Sequence, residues 1–333
     1  MSEVIVPGVQ LELCMNAMKS ESRLVENVHE CPDWATITHQ FDTLPKPVWR
    51  RDAQRETRRP GWIFRGHKRA SYPLQPSIER VSACDWAEAE YRILREFQSK
   101  ARMHMDPIQL PPVHHKLGWL AIIQHYGAPT RLLDFTYSPY VALYFALRNR
   151  EKGESDYAEV WAFDAAALRE QARNKGWEAG KETERQKGKS PKRRPPLSMN
   201  PADTLSALQL AQEEDEHWDV LIRRTLRPCG TRREHFNSSG FVAVALPPLQ
   251  NPRLSSQQGV FLLNGAEALS FELSLQSMMQ GVEQPWYKRF RVPEKSLDEM
   301  EEQLFQLNIH DLSLFPDVEG LAGFVRQKIR LHW

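Results

Sequence analysis

Cysteine is scarce and carries no pattern: Cys14, Cys31, Cys84 and Cys229 stand far apart with no C-x-x-C spacing. That excludes a zinc ribbon and a disulfide framework and suits a reducing cytoplasm. Net charge is missing as well. The 44 Lys and Arg nearly cancel the 43 Asp and Glu, leaving +1, so the surface as a whole is not shaped for DNA or anionic lipid, and any basic patch must be local. No stretch approaches the ~20 apolar residues of a membrane span. The start, MSEVIVPGVQLELCMNAMKS, lacks a basic head followed by a sustained apolar run. A soluble, unprocessed, cytoplasmic protein with no membrane contact is expected. No internal repeat is visible, which removes a solenoid.

Core-forming residues are present in quantity. With 41% hydrophobic and 10% aromatic side chains over 333 residues, the chain can bury one large core or two modest ones. Residues 1–60 mix short apolar pieces with proline and charge and read as an N-terminal extension packed on, or leading into, a main domain at 61–333. Gly61-Trp62-Ile63-Phe64-Arg65-Gly66 predicts a short strand running into a turn. From Asp85, a plausible cap, Trp86, Ala89, Ile93, Leu94 and Phe97 recur at helical spacing. A second helix is expected over Val113 to Tyr126, ended by Gly127 and Pro129. Arg131 to Phe135 predicts a strand, and Ser138-Pro139 then opens an almost wholly apolar helix, which must pack on more than one side. Val160 to Phe163 predicts another strand, with Asp164 capping an Ala-rich helix.

Between Arg169 and Pro196, ten Lys or Arg stand against four Glu, a net of +6 with few apolar residues. This reads as an exposed, mobile insertion. The acidic run Glu213 to Glu216 nearly compensates it. Three late strands are expected at Phe241 to Leu246, Gly259 to Leu263 and Tyr287 to Val292. Two closing helices follow, Glu294 to Leu307 and Val318 to Ile329, separated by Leu314-Phe315-Pro316-Asp317. The sum is an α+β fold: a central mixed or antiparallel sheet with flanking helices and a C-terminal helical segment.

The chemistry-bearing residues crowd into Gln124 to Pro139, where His125, Tyr126, Thr130, Arg131, Asp134, Thr136, Tyr137 and Ser138 sit between two apolar elements. Buried polar groups must find partners or do work, since leaving one unpaired costs about 1–3 kcal/mol. Several have structural alternatives. Arg65 can pair with Asp134; Asp134 can cap a helix or pair with a buried Arg; Thr136 and Ser138 can serve as turn and cap. Gln257 and Gln258 can bond backbone at a strand entrance. Adjacent His114 and His115 point apart on a helix, so no metal site is expected.

Phe64-Arg65-Gly66, Gln124-His125-Tyr126-Gly127 with Thr130 to Asp134, Arg253 with Gln257 to Phe261, and Leu314 to Asp317 with Gly320 occur in that order. The chain thereby resembles the FRG-domain family over about residues 61 to 320. It is also similar in layout to ADP-ribosyltransferases. Arg65 ends a first strand, Thr136-x-Ser138 precedes a helix, and Gln258 starts a late strand.

That resemblance implies an ADP-ribosyltransferase-like fold with NAD as co-substrate and no metal. Arg65 would grip phosphate or ribose hydroxyls, Thr136 and Ser138 would orient the ribose, Tyr126 or Tyr137 would stack on nicotinamide, and His125 would position an acceptor. Gly66, Gln124, Arg131, Asp134 and Gln257 would complete the substrate site. Many transferases place Glu where this chain has Gln257-Gln258; Glu267 or Asp134 would then supply the charge, or the protein would only bind its nucleotide. The implied role is a prokaryotic toxin or antiphage effector modifying a protein or nucleic acid. The rivals are a non-catalytic sensor of a nucleotide or phage component, and a nucleic-acid-binding protein using the 169–196 run.

Overall fold

A computed structural model describes residues 24, 26–45, 49–52, 55–58, 61–81, 86–150, 156–172, 174–175, 240–246, 252–265, 269–280, 282 and 285–331. Asp85, Glu267, the acidic run and nearly all of the basic run lie outside the described residues. The strands are β1 (Val28–Glu30), β2 (Trp49–Asp52), β3 (Arg55–Arg58), β4 (Trp62–His67), β5 (Leu132–Thr136), β6 (Ala158–Asp164), β7 (Val242–Ala245), β8 (Gly259–Asn264) and β9 (Tyr287–Val292). The helices are α1 (Trp34–Asp42), α2 (Ser77–Val81), α3 (Trp86–Lys100), α4 (Lys116–His125), α5 (Pro139–Leu147), α6 (Pro252–Ser256), α7 (Phe271–Met279), α8 (Leu297–Gln306), α9 (Asp311–Leu314) and α10 (Val318–Arg330).

Seven strands form one sheet in the order β1-β9-β6-β4-β5-β8-β7, and β2 and β3 make a separate hairpin. Within the large sheet β1 runs parallel to β9 and every other pairing is antiparallel. This is the mixed sheet of an α+β protein, with helices on both faces and at the C-terminus. The central strands are buried on both sides, which is why β6 and β8 read as continuous apolar runs instead of alternating.

One face of the sheet packs Ile63, Phe135, Phe163 and Leu262 against Phe271 and Leu275 of α7. The opposite face packs Phe64, Ala162 and Phe290 against α1, α5 and α8. Helix α5 is covered by the sheet and by helices together, as its all-round apolar sequence requires. A third cluster seats Leu117 and Leu120 of α4 on Leu132, Phe261 and Leu263.

The structure departs from the sequence reading in local ways. Helix α4 begins at Lys116, three residues later than Val113, because His115 caps it by accepting from Gly118 N at 3.1 Å. Its end matches the expectation: Gly127 adopts φ +81°, and Gly127 N and Ala128 N return to Gln124 O and Ile123 O. Residues 28–42 supply an edge strand and a helix that bury Cys31, Ile37 and Phe41. Helix α7 had no counterpart in the sequence reading. Among the described residues, no helix is long and apolar enough to cross a membrane.

Candidate functional site

The sheet is divided near its middle. Strand β4 pairs with β6 along its whole length, Trp62 with Asp164 through His67 with Glu159, yet it meets β5 at the single register pair Phe64 and Thr136. Strand β5 in turn pairs with β8 over all five of its residues. Past Phe64 the β5 edge therefore has main-chain groups that no ladder partner takes. Arg65 answers one of them, its Nη1 donating to Asp134 O at 2.7 Å, while its Nε donates to His67 Nε2 at 3.1 Å.

Arg65 is half-buried and is in none of the ion pairs among the described residues. Burial lowers its pKa from the ordinary value; the Asp134 carboxylate works against that shift and Arg80 adds to it. A guanidinium stays charged under such pressure. It gains from any further anion brought beside it.

Gly66, the next residue, has a different task. A Cβ there would stand 2.0 Å from Ala142 O and 2.5 Å from Ala146 N, so the missing side chain lets β4 lie directly on α5.

The hydroxyl turn and the late-strand amides do converge, and they are occupied with one another. Thr136 Oγ1 donates to Gln257 O at 2.7 Å and accepts from Ser138 N at 3.0 Å. Ser138 Oγ caps α5 by accepting from Val141 N at 3.3 Å. Tyr137 N donates to Gln258 O at 3.0 Å, and Gln257 Nε2 donates to Leu314 O at 3.0 Å. Gln258 is exposed and holds φ +48°, turning the chain from α6 into β8. Together these bonds tie the end of β5 to the start of β8 and to the end of α9.

Gln124 links the last turn of α4 to β5. Its Nε2 donates to Asp134 Oδ2 at 2.9 Å and approaches Leu132 O at 3.4 Å, and its Oε1 accepts from Thr130 Oγ1. Asp134 is exposed, so its carboxylate is steadied by Gln124 while facing solvent beside Arg65. His125 and Tyr126 are exposed and meet edge to face at 4.9 Å. Partial burial and the charge of Arg253 lower the His125 pKa, with Asp317 acting the other way.

Arg131 is inside the protein, 3% exposed, with both Glu90 carboxylate oxygens on its Nε and with Trp86 4.6 Å from the guanidinium. Its guanidinium is thus buried in an ion pair with Glu90. His115 serves as the α4 cap, and His114 precedes it outside the helix. Among the described residues no group of three or more His, Cys, Asp or Glu is arranged to hold a metal.

Sequence reasoning missed the neighbours of Arg65 on its own face of the sheet. His67 follows it by two residues, and Trp161 and Glu159 stand opposite Arg65 and His67 on β6. On β9, Arg289 and Arg291 continue the row. Arg289 donates to both Glu159 oxygens at 3.0 and 2.9 Å, and Arg291 Nε donates to one of them at 3.0 Å. The period-two spacing of Arg65 with His67, and of Arg289 with Arg291, was the available signal.

Residues 60–155 match the family model described as FRG domain. No curated protein and no solved structure matches the chain, and nothing in these comparisons supports kinship with ADP-ribosyltransferases. The matched span takes in Phe64-Arg65-Gly66 and the Gln124 to Asp134 block, whereas the two later blocks at Arg253 to Phe261 and Leu314 to Gly320 lie beyond it. The residues that open and line the β4–β5 seam thus come largely from one recognised unit: the chain carries an FRG domain over residues 60–155.

Proposed function

We propose that the seam between β4 and β5 binds a nucleotide, with NAD the candidate co-substrate and Arg65 the group that holds its charge. The observation that carries this reading is the state of Arg65: a half-buried guanidinium outside every ion pair of the described residues, bonded to a main-chain oxygen and an imidazole nitrogen, beside the steadied and exposed carboxylate of Asp134. Further guanidinium N–H groups are left to donate to a phosphoryl or ribose oxygen.

Turnover needs negative charge near the sugar as the nicotinamide bond breaks, because the transition state resembles an oxocarbenium ion. Gln257 and Gln258 carry none. Asp134, one strand over, is the carboxylate we assign to that role, in an ADP-ribosyltransferase-like toxin or antiphage effector that modifies a protein or nucleic acid.

A second reading, binding without turnover as in a sensor, is favoured by a specific fact. Thr136, Ser138 and Gln257 hold each other and neighbouring backbone through most of their polar capacity. Incubating the purified chain with labelled NAD and cell lysate decides between the two. Transfer of label to macromolecules, or release of nicotinamide, that disappears in Asp134→Asn while NAD still raises the melting temperature supports the enzyme. Stabilisation by NAD with no turnover supports the sensor. If NAD neither stabilises the protein nor is consumed, both readings fail.

A further inference from the structure

The row of residues next to Arg65 contains two buried donors without acceptors. His67 is 6% exposed and Trp161 3%. Because Arg65 Nε donates to His67 Nε2, that nitrogen is the acceptor of a neutral ring, and the ring proton sits on Nδ1. Nδ1 makes no hydrogen bond of good geometry, although the Tyr72 main chain is near enough to act on the ring and raise its pKa. The Trp161 indole Nε1 is likewise unpartnered. Arg65 stands opposite Trp161 in the β4–β6 register, so the three donors share one face and adjacent positions.

Positive charge predominates around them. Arg65, Arg289 and Arg80 all act to lower the His67 pKa, which burial has already pushed down, to about 3. The ring is therefore neutral at neutral pH and offers a proton without needing a counter-ion. Of the acids close by, Glu159 is shared by Arg289 and Arg291, the Asp134 carboxylate is held by Gln124, and burial raises the pKa of Glu272. Buried donors lacking acceptors in a positive field define a place for an oxyanion.

We propose that Arg65, His67 and Trp161 form the seat of one phosphoryl group of the nucleotide. The Arg65 guanidinium supplies the charge, and His67 Nδ1–H and Trp161 Nε1–H supply the direction. This rests on the reading of the β4–β5 seam as a nucleotide site. The ligand class is narrowed to a phosphorylated nucleotide, ADP-ribose being the probe that fits the seam reading, and inorganic pyrophosphate shares the chemistry.

The test titrates the full chain with pyrophosphate, ADP-ribose and adenosine by calorimetry, and follows indole N–H resonances in parallel. Wild type is expected to bind the two phosphorylated probes and adenosine far more weakly. The indole signal absent from Trp161→Phe should move on adding pyrophosphate. Trp161→Phe and His67→Phe should each weaken both phosphorylated probes about tenfold, the worth of one hydrogen bond to a charged group, while His67→Asn keeps a donor and restores binding.

If wild type binds ADP-ribose but the Trp161 indole stays still and both Phe variants bind as tightly, the seat is wrong and the seam reading survives. If wild type binds neither phosphorylated probe, the two fall together. The wild-type resonance reports even where a variant does not fold.

Discussion

Glu90 and Arg131, 41 residues apart in sequence, meet inside the protein: the Arg131 Nε lies 2.8 and 2.7 Å from the two carboxylate oxygens. The pair anchors α3 to the start of β5, and the guanidinium lies over Trp86 at the head of the same helix. Removing one partner leaves the other charged and buried. Glu90→Ala should therefore lower unfolding free energy by about 3–5 kcal/mol, and the double variant Glu90→Leu with Arg131→Met should recover much of that loss. Urea midpoints of the three chains check both statements. A Glu90→Ala chain as stable as wild type would show the pair to be dispensable.

Glu79 sets a pH dependence. Its carboxylate is 4% exposed and accepts from Phe271 N at the start of α7 and from Asn264 Nδ2. Burial nevertheless dominates and raises its pKa from 4.5 to about 7. The folded state thus holds this proton more tightly than the unfolded chain does. Stability from this group is full below about pH 4.5, falls as pH rises toward 7, and stays reduced above it, by roughly 3 kcal/mol. Glu79→Gln should flatten that stretch of the curve and make the protein more stable than wild type at pH 8. Melting temperatures of both chains from pH 4 to 8 measure it.

Gly66→Ala should destabilise strongly. The added methyl would collide with Ala142 O and Ala146 N, main-chain atoms of a helix packed on its other side as well. A loss of about 3 kcal/mol is expected, read as a fall in the denaturant midpoint. Survival at wild-type stability would mean that β4 and α5 can separate at little cost.

Thr136 separates structure from ligand contact. Thr136→Val removes the bond to Gln257 O and the acceptor for Ser138 N, at a cost of about 1–3 kcal/mol. Nucleotide affinity, measured well below the variant's melting temperature, should stay within about twofold of wild type. Arg65→Gln should do the reverse, with a modest loss of stability and a loss of binding. Equal losses of affinity in the two variants would return Thr136 to the binding site.

Local physics was legible in the chain alone. The β-favouring runs at 61–66, 160–163, 241–246, 259–263 and 287–292 overlap strands of the sheet, because a short apolar segment bounded by turn residues has few other ways to bury itself. Gly127 ended α4 and Ser138 began α5 through caps that involve only a few neighbouring residues. The stretch at 28–42 was obscure for the opposite reason. Three residues of strand and a nine-residue helix have little periodicity to display, and β1 exists only because β9 lies ready to pair with it 261 positions away.

Partner choice was decided by the tertiary structure. Sequence offered Asp134 as a helix cap or as a partner for Arg65 or another buried Arg. The fold sent Arg131 to Glu90, turned Arg65 to the Asp134 carbonyl, and gave the Asp134 carboxylate to Gln124. It also set His67 and Trp161 beside Arg65 across a ladder that joins residues nearly a hundred positions apart. Helical and strand periodicity follow from bonds between near neighbours, so a linear reading can find them. Which charge meets which, and which donor is left without an acceptor, depends on the order of strands in the sheet, and that order is set by the packing of the whole core.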